Sequence, residues 1–272
     1  SSWEWLDGNR DKIAECYYFD DQGYLLTDTT TPDGHKVDAE GRWVVDGVIR
    51  TRSEGRESAD LRQTYQDAVG RTTGLASYAT KLRFEIPDSG DSDMIMDVDI
   101  KTHGKKSTKA AYMLNLSAVV EDTQLSGNLF YSEGYCYFKY DFEGQYYESN
   151  WEKQEMPADE IDQFFTTMIS GMFLESCDLA DIQLISVEEG NQKMAYRADI
   201  ERISEYGYMD NLYMYGMDIK GVTGTVTINP DGYILDNDIL IKVEEGDAVR
   251  DMKLQIRYVN PGQYVYFNHP FM

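Results

Sequence analysis

Apolar side chains recur at every second position through most of this chain. Tyr78, Thr80, Leu82, Phe84 and Ile86 alternate with polar or small residues, as do Met94, Met96, Val98 and Ile100, and then Tyr112, Leu114, Leu116, Ala118 and Val120. The same pattern predicts strands over 125–131 and 135–142, with Gly134 in the turn between them. It resumes over 182–187, 194–200, 212–217, 222–228, 233–243 and 249–259, and a last strand is expected over 263–267. A side-chain period of two buries one face and wets the other, which is the pattern of antiparallel sheets. In the last long strand Met252, Leu254, Ile256 and Tyr258 face one way, and Asp251, Lys253, Gln255 and Arg257 the other. Pro230, Asp231 and Gly232 supply a hairpin turn.

Two stretches carry a helical period instead. Over 58–71, Leu61, Tyr65, Ala68 and Val69 share one face. After Pro157, the residues Ile161, Phe164, Phe165, Met168, Ile169, Met172 and Phe173 follow the i, i+3, i+4, i+7 spacing of an amphipathic helix, with Asp159 and Glu160 in its first turn, where the helix dipole favours acids. A stripe this rich in Phe and Met suits an adaptable apolar lining as well as a fixed core. Ile161, Phe164, Phe165, Met168, Ile169 and Met172 are therefore the candidate lining of an apolar cavity.

The first fifty residues differ from the rest. Trp3, Trp5, Tyr17, Tyr18, Phe19, Tyr24 and Trp43 are separated by Asp, Asn and Gly turn formers, as at Asp21, Gln22 and Gly23 and at Pro32, Asp33 and Gly34. Such a segment builds short hairpins whose rings stack in place of an aliphatic core. Residues 51–58 are polar and lack aromatics, so a linker is expected there. The division is a hairpin module over 1–52 and a larger domain over 53–272.

The aromatic, glycine-rich module resembles the choline-binding-type repeats by which surface proteins of Gram-positive bacteria attach to the cell wall. The resemblance implies that Trp3, Trp5, Tyr17, Tyr18, Tyr24 and Trp43 hold a quaternary ammonium or stack on sugar rings. Over 56–272 the order helix, strand run, amphipathic helix, strand run, closing at Tyr258, Val259, Asn260, Pro261 and Gly262, resembles the LolA and LppX type of bacterial lipoproteins, with an uncharacterised clostridial branch as its place. That resemblance implies an α+β fold: a strongly curved antiparallel sheet, a half-barrel, wrapped around two helices and an apolar cavity.

Charge narrows the partners. Against 49 acidic residues stand 25 basic ones, a net charge of −24 spread over both parts of the chain. Such a field repels nucleic acid and anionic headgroups. Cys16, Cys136 and Cys177 form no metal-binding spacing and allow at most one disulfide. Neither a Gly-x-Ser-x-Gly elbow, a His-Glu-x-x-His helix nor a phosphate-binding loop is present. His35, His103 and His269 sit in turn-like contexts and read as surface residues. Asp7, Asn9, Asp11 and Glu15 miss the glycine and bidentate Glu of a calcium loop, and Asp88, Asp91, Asp93 and the pair Asp236 and Asp238 read as solvated turns. No metal and no cofactor are expected.

The expectation is thus a non-enzymatic, extracytoplasmic binding protein, associated with the cell surface or wall, that sequesters an apolar, lipid-like molecule. The alternative is an adhesion protein whose aromatic module binds wall glycan or teichoic acid. The chain opens at Ser1 and Ser2 without a signal peptide; a trimmed leader is expected, with a lipid anchor upstream as a membrane tether. A hydrolase would need two carboxylates or a Cys-His pair in one cleft.

Overall fold

The structure is a computed structural model and describes residues 1–8, 13–45, 47–53, 58–86, 94–107, 109–120, 123–142, 147–148, 151–205, 218–245 and 248–265. The N-terminal region forms two small sheets. Strands β1 (Ser2–Leu6), β2 (Ile13–Phe19) and β7 (Thr51–Ser53) make the first, in the order β1-β2-β7. Between β2 and β7, the short strands β3 (Thr29–Thr30), β4 (Lys36–Val37), β5 (Trp43–Val45) and β6 (Val48–Ile49) form a meander. The turn after β3 closes where Gly34 N–H donates to Thr31 O at 2.9 Å, and Gly34 takes φ +89°, a conformation that disfavours a side chain.

A 16-residue helix, α1 (Ser58–Thr73), leads into the main sheet. Its first half comprises β8 (Tyr78–Ile86), β9 (Met94–His103), β10 (Ala111–Val120), β11 (Thr123–Ser132), β12 (Tyr135–Phe142), β13 (Tyr147–Glu148) and β14 (Glu152–Glu155). Helix α2 (Ala158–Ser170) and a single 3-10 turn at Ser176–Asp178 follow. The second half comprises β15 (Leu179–Glu188), β16 (Asn191–Ala198), the short helix α3 (Ile200–Glu205), β17 (Asp218–Ile228), β18 (Ile234–Glu245) and β19 (Ala248–Val259).

All pairings in this 12-stranded sheet are antiparallel, in the order β13-β12-β11-β10-β9-β8-β19-β18-β17-β16-β15, with β14 added on β12. The two halves meet where the first long strand pairs with the last, Leu82 opposite Ile256 and Phe84 opposite Leu254. The order leaves β13 and β15 as ends, so the described sheet does not close into a barrel. Its inner face carries the core. Tyr65 of α1 packs at a tilt against Tyr196 of β16 with ring centroids 5.6 Å apart, and Phe165 of α2 stacks on Tyr112 of β10 at 5.0 Å. The outer face carries ion pairs such as Arg83 with Asp97 at 2.9 Å and Arg257 with Asp238 at 2.5 Å. No helix among the described residues is long and apolar enough to cross a membrane.

Several expectations are corrected. The polar stretch expected to be a linker begins as β7: Ile13, Ala14 and Glu15 pair with Ser53, Arg52 and Thr51. Thr51 is buried, donating its hydroxyl to Leu184 O at 2.6 Å and its N–H to Gln183 Oε1 at 3.3 Å. Gln183 Nε2 in turn donates to Ile49 O at 2.6 Å, and Arg50 pairs with Asp181. The N-terminal module is thereby fastened over the outer face of β15 to β17 and covers the β15 end of the sheet, a common way to protect an edge strand. The seam leaves a cavity of about 20 Å³ between Val45, Val48 and Thr223, space for one water. Helices number three among the described residues rather than two, because the strand expected over 194–200 stops at Ala198 and the chain coils into α3. Residues 263–265 carry no strand. The strand expected over 212–217 lies outside the described residues.

Candidate functional site

The six aromatics of the module do not converge. Cross-strand register places Trp3 opposite Tyr18 and Trp5 opposite Cys16, so these four share one face of β1 and β2. The Trp3 ring meets Tyr18 at 5.1 Å and Trp43 at 5.4 Å, and Trp3 Nε1 donates to Asp33 Oδ2 at 2.8 Å. His35 joins this cluster, 5.7 Å from Trp3 and 5.0 Å from Trp43. Its turn brings it there, a contact that the sequence alone did not indicate. The Arg50 guanidinium lies 5.8 Å from the Trp43 ring. Tyr17 faces the opposite side, bridged to Arg42, and Tyr24 is exposed in the turn after β2. Trp3 thus packs on Tyr18, Trp43 and His35, Tyr17 faces away, and Trp5 and Tyr24 are left at the surface.

Helix α2 divides its apolar stripe. Ile161, Phe165 and Ile169 are buried, and Phe173 just beyond the helix continues the same line. Met168 and Met172 are half-buried against that core. Phe164 is 50% exposed, its ring edge-on to Phe165 at 5.3 Å.

The inner face itself shows an asymmetry that periodicity does not reveal. In the β15 to β19 half, Ile182, Met194, Val226, Ile241 and Leu254 are all buried. In the β8 to β11 half, burial fades along the strands, the small Ala118 at the far end of β10 excepted. Tyr78 and Leu82 are buried while Phe84 and Ile86 are half-buried; Ile100 and Val98 are buried while Met96 is not. Leu114, Leu116 and Leu129 on the neighbouring strands are half-buried too. Registers of Phe84 with Met96, Leu116 with Val98 and Leu114 with Leu129 make these one continuous apolar surface.

Polar chemistry collects at the other end of the same strands. Tyr78 and Tyr112 both stand opposite Thr102, so the three form a row on the inner face under α2. Tyr112 Oη donates to Asp162 Oδ1 of α2 at 2.8 Å. Burial, and then the Asp162 charge, raise the Tyr112 and Tyr78 hydroxyls well above the ordinary phenol range, which keeps both protonated. Burial lowers the Lys105 ammonium, with Asp162 opposing. Two clefts of about 590 and 620 Å³ flank the first turn of α2 and share Ser107 and Ala158; Tyr131 and Met156 line one, Asp162 and Thr166 the other.

The remaining candidate chemistry is accounted for. Cys16, Cys136 and Cys177 are free thiols, the first two buried. Burial and the Glu4 charge push Cys16 up to about 11. Asp236 accepts from Thr227 Oγ1 at 2.9 Å, and Asp238 pairs with Arg257, so both serve the outer face. His103 closes β9, half-buried, with Nδ1 3.3 Å from Ser77 Oγ and its ring 4.7 Å from Tyr264. Asn9, Asp11, Asp88, Asp91, Asp93 and His269 lie outside the described residues. Glu175, Cys177 and Asp178 do bring ligand atoms within 4.8 Å of one another. Their capping box around the 3-10 turn explains that proximity: the Asp178 carboxylate accepts from Glu175 N–H at 3.3 Å.

No protein-family model matches the chain, and no curated protein matches it. Among solved structures, the chain is similar to LprF from Mycobacterium bovis, at 14% identity over 79% of this chain and 99% of that one, with a TM-score of 0.44. It is also similar to a LolA superfamily protein from Nitrosomonas europaea, at 7% identity over 80% of this chain and 100% of that one, with a TM-score of 0.24. A third similarity is to a porin-like protein from Bacteroides uniformis, at 11% identity over 69% of this chain and 97% of that one, with a TM-score of 0.25.

Proposed function

We propose that this protein is a non-enzymatic, extracytoplasmic binding protein that sequesters an acyl-bearing, lipid-like molecule against the inner face of β8 to β11. The observation that carries the reading is the asymmetry of burial: one half of the inner face is sealed, while the other keeps Phe84, Met96, Leu114, Leu116 and Leu129 half-buried beneath the same fold. Covering that surface with an acyl chain contributes about 0.8 kcal/mol per buried methylene and requires no cofactor. The half-buried methionines Met168 and Met172 of α2 belong to the same packing and adapt readily to a guest. The acidic net charge of −24 disfavours nucleic acid as a partner.

A second reading, retention on wall glycan or teichoic acid, rests on the Trp5 ring, which shares a strand face with Trp3 and stays partly exposed. The deciding experiment is native mass spectrometry of the purified protein before and after incubation with membrane extract, followed by organic extraction. The carrier reading expects an acyl species that dissociates from the wild type and is lost from Leu116→Asp with the fold retained by circular dichroism. An apo mass that membrane extract leaves unchanged would overturn it. Wall retention lost on Trp5→Ala alone would favour the second reading.

A further inference from the structure

Four hydroxyls in this molecule are buried without a hydrogen-bond partner among the described residues: Tyr78 Oη, Thr102 Oγ1, Thr166 Oγ1 and Tyr258 Oη. They belong to one neighbourhood. Tyr78 and Thr102 are register partners, the Tyr78 and Tyr258 rings lie 5.9 Å apart, and Thr166 is one helical turn beyond Asp162, the residue that holds Tyr112 in the same row. Tyr78 is 1% exposed, Thr102 0% and Tyr258 6%, so bulk solvent does not serve them. A buried hydroxyl without a partner is unfavourable, and native folds keep such groups where something else satisfies them. A surface that only had to hold hydrocarbon would have no use for four of them.

We infer that the hydroxyls of Tyr78, Thr102, Thr166 and Tyr258, with Asp162 as an acceptor, form a subsite for the uncharged, oxygen-rich head of an acyl ligand. Glycerol or sugar hydroxyls and ester carbonyls are the chemistry it fits. The inference rests on the carrier reading and deepens it. Each hydroxyl both donates and accepts, which matches groups of the same kind. The cleft lined by Asp162 and Thr166 opens the α2 side of the neighbourhood to the outside, with Tyr78, Thr102 and Tyr258 beneath it and off its lining. An anionic head would meet two carboxylates, Asp159 and Asp162, against one lysine, Lys106, in the lining of that cleft, within a protein of net charge −24. From the Tyr112 row an acyl chain has a path along β10, whose half-buried Leu114 and Leu116 run four residues, about 14 Å at ~3.4 Å per residue, toward Phe84 and Met96.

Internal water is the rival occupant, and binding separates the two. The probes are monoolein, whose head is a neutral glycerol ester, oleate, which shares its chain but is anionic, and diphenylhexatriene, a fluorescent hydrocarbon with no head. The wild type is expected to bind monoolein at least tenfold more tightly than oleate. Tyr78→Phe and Thr166→Val, which remove a hydroxyl and keep the shape, each lower monoolein affinity threefold or more and leave diphenylhexatriene binding unchanged. Asp162→Asn raises oleate affinity. Binding of diphenylhexatriene with no preference for monoolein, or monoolein affinity untouched by both hydroxyl variants, would overturn the subsite and leave the carrier standing. A wild type that binds none of the three probes would overturn both. Thr166 is only half-buried although its hydroxyl is not exposed, so its variant tests the inference even if Tyr78→Phe proves unstable.

Discussion

Tyr196 lies across Gly224, its cross-strand partner on β17: a Cβ on Gly224 would stand 2.3 Å from Tyr196 Cζ and 2.4 Å from its hydroxyl oxygen. The missing side chain lets the ring lie over the strand, where its hydroxyl donates to the buried Asn237 Oδ1 at 2.8 Å and the ring packs at a tilt against Tyr65 of α1. One glycine therefore sets how closely α1 approaches the sealed half of the sheet. Gly224→Ala is expected to displace the ring and destabilise the protein by about 1–3 kcal/mol, the usual range for overpacking. Urea unfolding checks this, and an unchanged midpoint would mean that Tyr196 moves aside freely.

The two adjacent phenylalanines of α2 make a sharper contrast. Phe165 is fully buried and stacks on Tyr112, whereas Phe164 faces outward. Phe165→Ala should destabilise by about 3–5 kcal/mol, the range for deleting a buried aromatic ring. Phe164→Ala should stay within about 0.5 kcal/mol. Equal losses at both positions would show that Phe164 is covered in solution.

These positions also show what hydropathy reveals and what it hides. Period-two alternation located β8 to β12 and β15 to β19 because each has one face in the core. The 3.6-residue spacing located α2, yet the stripe is wider than the buried line, so it could not assign Phe164 to solvent. β7 was invisible because Thr51, Arg52 and Ser53 are fixed by backbone pairing and by Gln183, contacts that leave no apolar signature. The short helix α3 follows a strand whose alternation runs straight into it. The hydroxyl row under α2 was hidden for another reason: Tyr78, Tyr112 and Tyr258 count as apolar in a period, and only register and ring contacts place them side by side.

The joint between module and sheet is testable at Gln183, whose side-chain amide contacts both Thr51 N–H and Ile49 O. Gln183→Leu leaves those two backbone groups unpaired in a buried seam, an effect of about 1–3 kcal/mol. Hydrogen exchange is expected to speed up at Thr51 while the β17 and β18 amides keep their protection. Unaltered exchange at Thr51 would mean that the seam does not depend on this amide.

Thiol chemistry reports the same packing. Cys16 is buried and its thiol is pushed up to about 11, with desolvation first and the Glu4 charge second. Cys136 is also raised by burial. Cys177 is exposed; slight burial, and then the neighbouring Asp178 and Glu175, raise it as well. A raised thiol has less thiolate at any given pH, and the thiolate is the nucleophile. At pH 8, iodoacetamide should label Cys177 alone, and more slowly than free cysteine, with Cys16 and Cys136 labelled only in denaturant. Mass spectrometry of the peptides decides it, and early labelling of Cys16 would show that the β1 to β2 face opens.

The pH response should begin in the module. Burial disfavours the Asp38 carboxylate, but hydrogen bonds from the Arg42 side chain and backbone N–H outweigh it and hold Asp38 below its ordinary 3.8. Asp33 is lowered by hydrogen bonds from Thr31 and from Trp3 Nε1. A carboxyl whose folded value is depressed binds fewer protons when folded, so its stabilisation is complete above the unfolded value and is lost as the pH falls through the folded one. The window is therefore from about pH 4 downward. Both acids position the turns beneath Trp3 and Trp43, so acidification from pH 5 to about pH 2 should shift tryptophan emission to the red before the far-ultraviolet dichroism of the main sheet changes. In Asp33→Asn/Asp38→Asn the emission should be red-shifted already at neutral pH and nearly flat across that window. A double variant that titrates with the wild-type midpoint would place the acid-sensitive carboxylates elsewhere in the chain.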